Sequence, residues 1–182
     1  MRLNKTVIAA ALAAGLVAPA LADVNCPPNL GAVTIDDNVI VTGQCVMSGT
    51  RVKGNVLVRP SGALTVRDAR IEGNIQADGA VYVRVVRTDV GGDIQLEGVF
   101  REASRIQRST IGGNVQLDNN RVRLVAEYNG IDGDLQAFSN TGGLVIRYNT
   151  IEGNLQCKSN TPAPVGGFNQ VSGNKEDQCA RL

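Results

Sequence analysis

The sequence predicts an all-β fold: a single-stranded, right-handed parallel β-helix of about 20 residues per coil, with disulfide-stapled ends. Three observations lead there. The hexapeptide Ile151-Glu152-Gly153-Asn154-Leu155-Gln156 recurs as IDGDLQ from Ile131, IGGNVQ from Ile111, VGGDIQ from Val90 and IEGNIQ from Ile71. Aligned starts at Val52, Ile71, Val90, Ile111, Ile131, Ile151 and Val171 are 19, 19, 21, 20, 20 and 20 residues apart. Four cysteines fall near the two ends of the repeat, with spacings close to one coil. A fixed period of this size marks stacked units, none of which buries its apolar face alone.

The columns of the repeat carry the strand assignments. Its first position is always Val or Ile, its third is Gly from Gly54 to Gly173, and its fourth is Asn or Asp from Asn55 to Asn174. The fifth is apolar from Val56 to Leu155 and gives way to Lys175, and the sixth holds Gln76, Gln95, Gln116, Gln136 and Gln156. Alternation of apolar and polar residues at period two describes a strand with one buried face. Glycine suits a bend, either for positive φ or for close approach to a neighbour. A second strand precedes each hexapeptide, with Leu64, Val83, Leu124 and Leu144 in one column and Val66, Val85, Ile106, Ala126 and Ile146 two residues on. Asn129, Asn149 and Asn169 then mark a corner at one-coil intervals, where stacked amides bond to each other and to turn backbone. No period of six runs within a coil, which favours the right-handed form over a left-handed hexapeptide helix. About eight coils at roughly 4.8 Å each give a rod on the order of 40 Å long.

Residues 1–22 read as a signal peptide. MRLNK is a basic start, TVIAAALAAGLVAPA is an apolar stretch too short to span a bilayer comfortably, and Ala20-Leu21-Ala22 fits the small-x-small cleavage rule. Cys26 lacks the residues that normally precede a lipidated cysteine, so a lipoprotein is not expected. The mature chain, Asp23–Leu182, is 160 residues long and holds 16 basic against 17 acidic residues. That balance gives no overall field to attract nucleic acid, and no second apolar stretch is long enough to span a membrane. The expected location is secreted or periplasmic.

An even cysteine count in an exported chain predicts disulfides. Cys26 and Cys45 are 19 residues apart, and Cys157 and Cys179 are 22 apart. Each pair then lies on neighbouring coils, which predicts Cys26–Cys45 and Cys157–Cys179, one staple per end; pairing across the rod exceeds the roughly 7 Å Cα separation a disulfide tolerates. Thr161-Pro162-Ala163-Pro164 breaks the strand pattern and predicts a C-terminal cap over about 157–182.

The ending GNLQCKSNTPAPVGGFNQVSGNKEDQC, Gly153 to Cys179, resembles the ends of a group of uncharacterised secreted bacterial proteins. The looser GN-Q repeat extends that resemblance back to about Val52. It implies export and this fold, and it carries no assigned reaction. The coils are also loosely similar to bactofilins, bacterial β-helical filament formers, which lack export signals and stapled ends.

Little in the sequence points to catalysis. There is no His and no Trp, which removes the usual general base and the commonest metal ligand. Pairing accounts for the cysteines, so neither a metal nor a cofactor is expected. Many parallel β-helices are polysaccharide lyases or hydrolases whose clefts are walled by long loops. Coil lengths of 19 to 21 leave no room for such a loop.

Surface chemistry is more informative. Eleven of fourteen arginines lie between Arg51 and Arg123. Arg84 and Arg105 share one outward column, and Arg87 and Arg108 another. Like charges about 5 Å apart repel unless neutralised. An anionic polysaccharide or lipopolysaccharide phosphate would neutralise them through planar arginine forks. Asp68 in the Arg87 column and Tyr128 in the Arg108 column are the internal alternatives, as ion pair and stacking partner. Tyr128, Tyr148 and Phe168 form an aromatic column, read either as sheet stabilisation or as a sugar-binding ladder. The Gln column reads as an outward amide ladder. The expected role is therefore a non-enzymatic exported structural or binding protein with an Arg-rich face. The alternatives are a polysaccharide-lyase-type enzyme, or a rod that self-assembles end to end, and the oligomeric state is left open.

Overall fold

A computed structural model describes residues 22–182; Met1–Leu21, which hold all of the expected signal peptide except Ala22, lie outside the described residues. The described chain is all β, and the expected coil is present as a three-sided one. Sheet A stacks nine strands from Val24–Cys26 to Lys175–Asp177. Sheet B stacks seven, from Gln44–Ser48 to Val165–Gly167. Sheet C stacks eight strands of two residues each, from Thr34–Ile35 to Gln170–Val171. The chain repeats B, C, A, and every pairing is parallel and to the adjacent coil. In parallel sheets of this kind each strand's backbone is satisfied by its neighbours above and below, so stacking supplies the hydrogen bonds that a lone coil lacks.

The recurring hexapeptide is not one strand. Its first residue, as in Ile71, belongs to sheet C, and its fifth to seventh residues, as in Ile75–Ala77, belong to sheet A. The Gly-Asn pair between them is a corner. Gly73 has no positive φ there; a Cβ on it would sit 2.6 Å from the Asn55 Oδ1 of the preceding coil. Glycine is selected at this column for close approach, and of the two roles the sequence allows only this one operates.

Inward columns form one apolar core along the rod. Sheet C contributes the first-position residues, such as Ile71, Val90 and Ile111, and sheet A contributes pairs such as Ile94 and Leu96. Sheet B contributes Leu64 and Val66 and their equivalents. Ser104 interrupts the sheet B column and is buried, its Oγ accepting a hydrogen bond from the Val83 amide at 2.9 Å.

Each corner carries a ladder of side-chain amides, two of them running only from Asn120 and Asn129 onward. Asn129 Nδ2 donates to Asn149 Oδ1 at 3.0 Å and to the Ile106 carbonyl at 2.9 Å, while Asn129 Oδ1 accepts from the Ser109 amide. Asn149 and Asn169 repeat the arrangement. Asn120, Asn140 and Asn160 form a second buried ladder at the corner from sheet A to sheet B, ending on Gln178. The third is the Asn/Asp column of the hexapeptide, where donation runs the other way: the Asn114 amide donates to Asp93 Oδ1 and the Asn154 amide to Asp134 Oδ1, both at 2.6 Å. Asn114 separates the two aspartates, so no two carboxylates stack directly in this ladder.

Both disulfides join the expected partners, with Cα separations of 5.5 Å for Cys26–Cys45 and 5.2 Å for Cys157–Cys179. Their geometry differs from stacked neighbours in one column. Cys26 pairs in register with Val41 in sheet A, whereas Cys45 lies in sheet B, so the bond crosses the core between two sheets. Cys179 lies past Asp177, the register partner of Cys157, and turns inward to reach it. After the prolines near 161–164 the stack continues, with Val165–Gly167 paired to sheet B and Gln170–Val171 to sheet C. The region expected as a cap thus contains a further coil, and the closing turn is Gln178–Leu182.

Inner and outer amides should differ in weight. Asn140→Leu strands the Asn120 amide and the Leu117 carbonyl in the core, and should lower the unfolding free energy by roughly 2–4 kcal/mol. Gln136→Ala, on the half-exposed outer ladder, should change it by less than about 0.5 kcal/mol. Urea unfolding of the oxidised protein measures both, and equal effects would contradict the difference.

Candidate functional site: the outer face of sheet B

Outward columns are set by strand alternation. On sheet B the first outward column runs Thr65, Arg84, Arg105, Val125, Val145, Val165 on successive coils. The next runs Arg67, Val86, Gln107, Glu127, Arg147, Gly167. Between these columns and Arg123, which immediately precedes its strand, lies a groove of about 700 Å³. Val125, Val145 and Val165 form an apolar strip along it, and Arg84, Arg105, Arg123 and Arg147 also line it.

The arginines are not equivalent. Arg84 Nη2 bonds Glu102 at 2.9 Å, and its guanidinium lies 4.1 Å from the centre of the Tyr82 ring. Arg147 pairs with Glu127, whose other oxygen accepts from Gln107. The Glu127 carboxylate raises the Arg147 guanidinium further above its ordinary range, through a hydrogen bond first and charge second. Among the described residues, Arg105 and Arg123 make no salt bridge.

Arg87 and Arg108 go elsewhere. Both occupy the corner beyond sheet B, at φ 48° and 51°. Arg87 makes a two-pronged pair with Asp68, at 2.7 and 2.9 Å. That hydrogen bonding holds the Asp68 carboxyl below its ordinary range. The Arg108 guanidinium sits 5.9 Å from the Tyr128 ring centre. From there the column continues as a stack, with ring centres 4.9 Å apart for Tyr128–Tyr148 and 5.1 Å for Tyr148–Phe168, planes within 6° and 4°. The faces of Tyr128 and Tyr148 are therefore covered by column neighbours. Sugar rings stack on open aromatic faces, and Phe168, 79% exposed at the end of the column, has one.

The columns thus bring Arg84 and Arg105 to the groove and place Arg87 and Arg108 in a corner ladder with the aromatics. Arg123, Arg147 and the valine strip were not singled out from sequence. Their signal was present, since Arg123 lies two residues before Val125, and Arg147 two after Val145, on the same alternation.

Sheet A shows a second feature outside that reading. Two residues past the Gln column, Asp78, Glu97 and Asp118 stand in register on three successive coils. Arg59, one coil earlier, makes no salt bridge to Asp78, and Asp118 Oδ1 is buried without a hydrogen-bond partner. Burial pushes the Asp118 carboxyl up; a backbone hydrogen bond from Phe138 opposes this, and the Glu97 charge adds to it. Sheet C, by contrast, neutralises itself through Arg51–Glu72, Lys53–Asp36 and Arg70–Asp89. Among the described residues, no three of His, Cys, Asp or Glu come together to hold a metal, and no helix is long and apolar enough to cross a membrane.

No family model, curated protein or solved structure matches this chain.

The two acidic environments give opposite pH signs. Asp118 titrates higher folded than unfolded, so its ionised form opposes folding above the folded pKa, and this penalty disappears as pH falls below the unfolded value of about 3.8. Asp118→Asn should raise the melting temperature at pH 7, with the gain shrinking toward acid. Asp68 titrates lower folded, so its contribution is present at neutral pH and lost as pH falls. Asp68→Asn should lower the melting temperature at pH 7 and converge on the wild type in acid. Melting curves across pH test the pair; a gain for Asp118→Asn that grows toward acid would contradict the assignment.

Proposed function

We propose that this is a non-enzymatic, exported binding or structural protein of a bacterial envelope or exterior, and that the groove on sheet B holds an anionic glycan. Export is supported by the leader-like start and by two disulfides, which persist in oxidising compartments. The resemblance of the Gly153–Cys179 stretch to secreted bacterial proteins points the same way for location, and that of the coils to bactofilins points to a scaffold without chemistry.

One observation carries the ligand class: Arg105 and Arg123, which make no salt bridge among the described residues, flank a strip of valines. Planar arginine forks recognise carboxylate or phosphate, and an apolar floor accepts the C–H faces of sugar rings. A lyase or hydrolase needs free carboxylates, or arginine beside a bound cation, at the scissile bond. The carboxylate lining this groove, Glu127, is engaged by both Gln107 and Arg147. For this groove the binding reading is therefore preferred to the enzymatic one.

The oxidised protein should be retained on an acidic polysaccharide or on lipopolysaccharide at low salt and released as salt rises. Arg105→Ala/Arg123→Ala should weaken retention by about tenfold or more, the scale of lost charged hydrogen bonds. Arg87→Ala/Arg108→Ala, at the corner, should leave it nearly unchanged. Absence of retention on every polyanion, or equal loss in the two variants, would overturn the proposal.

A further inference from the structure

The described charge is nearly balanced overall but unbalanced by face. Asp78, Glu97 and Asp118 stack as like charges outside sheet A, paired rung to rung. Arg84 and Arg105 stack as like charges outside sheet B, and Arg123 lines the same groove one coil on. Like charges facing each other across neighbouring strands destabilise a sheet. Both columns carry that cost, and apart from the Arg84–Glu102 contact none of the six charges is neutralised by a salt bridge within the described residues.

The two columns also match. One coil carries Asp78 on sheet A and Arg84 on sheet B; the next carries Glu97 and Arg105; the third carries Asp118 and ends on Arg123. Both follow the same rise of about 4.8 Å per coil.

We propose that the protein associates side by side with a second copy of itself, the acidic column of sheet A on one rod meeting the arginine column of sheet B on the next. With the rods parallel and unshifted, Asp78 faces Arg84 and Glu97 faces Arg105, while Asp118 meets the coil on which Val125 holds the column and Arg123 lies two residues before it. Sheet B, the shorter partner, is seven strands long, so a shared face about 29 Å by roughly 15 Å buries about 430 Å² per partner. A total of about 900 Å² is below the standard size of specific interfaces, which predicts a weak contact. Charge pairing in water adds that the contact is salt-sensitive. The contact joins unlike surfaces, so every complex keeps a free face of each kind until a ring closes, and its mass rises with concentration past a dimer. A glycan in the groove of sheet B competes with the second copy, so this lateral contact and the proposed glycan site exclude one another on the same face.

Sedimentation velocity on the oxidised protein, with two charge-reversed variants, tests this. At low salt the weight-average mass should at least double over a concentration series reaching the millimolar range, and in about 1 M salt, where screening acts within about 3 Å, it should fall to the monomer. Arg84→Glu/Arg105→Glu alone, and Asp78→Lys/Glu97→Lys alone, should each stay monomeric. An equimolar mixture of the two should associate again, because each reversed face then meets a complementary one. The mixture guards against misfolding, since damaged proteins do not regain a partner by mixing. Wild type that remains monomeric at low salt, or a mixture that does not recover association, overturns the proposal. Asp78→Lys/Glu97→Lys leaves the arginine groove untouched, so the loss of its retention on an acidic polysaccharide when Arg105→Ala/Arg123→Ala is added reports on the glycan site independently of self-association.

Discussion

The structure depends on how backbone passes the three corners of each coil without water. Strands satisfy their amides by stacking, but a corner interrupts the ladder and turns N–H and C=O groups toward the core. Asparagine meets this need because one amide group accepts from a backbone N–H while donating both to a carbonyl and to the next asparagine. A buried polar network is tolerable only when fully satisfied, and these ladders are, rung after rung. From Asn120 and Asn129 onward these ladders repeat at the 20-residue coil spacing that holds the apolar columns in register; on the earlier coils the same buried corner positions are Ala69, Ala80, Thr88 and Val99.

The same register orders the outside. Once each coil repeats its neighbour's path, any surface residue type repeated at the coil period becomes a column about 4.8 Å apart. Some columns are resolved internally: sheet C by three ion pairs, the corner by the sequence of Asp68, Arg87, Arg108 and stacked aromatics. Others are not. Arg105 and Arg123 over a valine strip, and the acidic column on sheet A, remain as uncompensated charge on opposite kinds of face. A rigid rod presenting such columns suits recognition of a periodic partner, whether a polyanion or another rod.

Much of this was legible in the sequence because the repeat converts position into space. The hexapeptide, the Gly and Asn/Asp columns and the cysteine spacings led to stacked coils and to both disulfide pairings. The pairing of Asp68 with Arg87, and of Arg108 with Tyr128, was also readable from shared columns. The third side of the coil was not, because a strand of two residues between two corners, as at Arg70–Ile71, is too short to show alternation. The ladder of Asn120, Asn140 and Asn160 stands at a perfect spacing of 20, yet polar residues beside turn letters read as surface, and only the hydrogen bonds place them inside. Arg123 was overlooked for a similar reason: it precedes its strand, and its link to Arg105 comes from the groove between columns rather than from a column itself.

The central claim is that side-chain amides complete the backbone hydrogen bonding at the buried corners. Residue-resolved amide hydrogen exchange tests it most directly, at Ser109, Asn129, Asn149, Asn120 and Asn140, whose N–H groups each donate to an asparagine Oδ1 of the next coil. The account predicts protection equal to that of core strand amides such as Ile106 and Leu117, with exchange only through global unfolding. Exchange at these corners as fast as in solvent-exposed turns, while the strands remain protected, would contradict it.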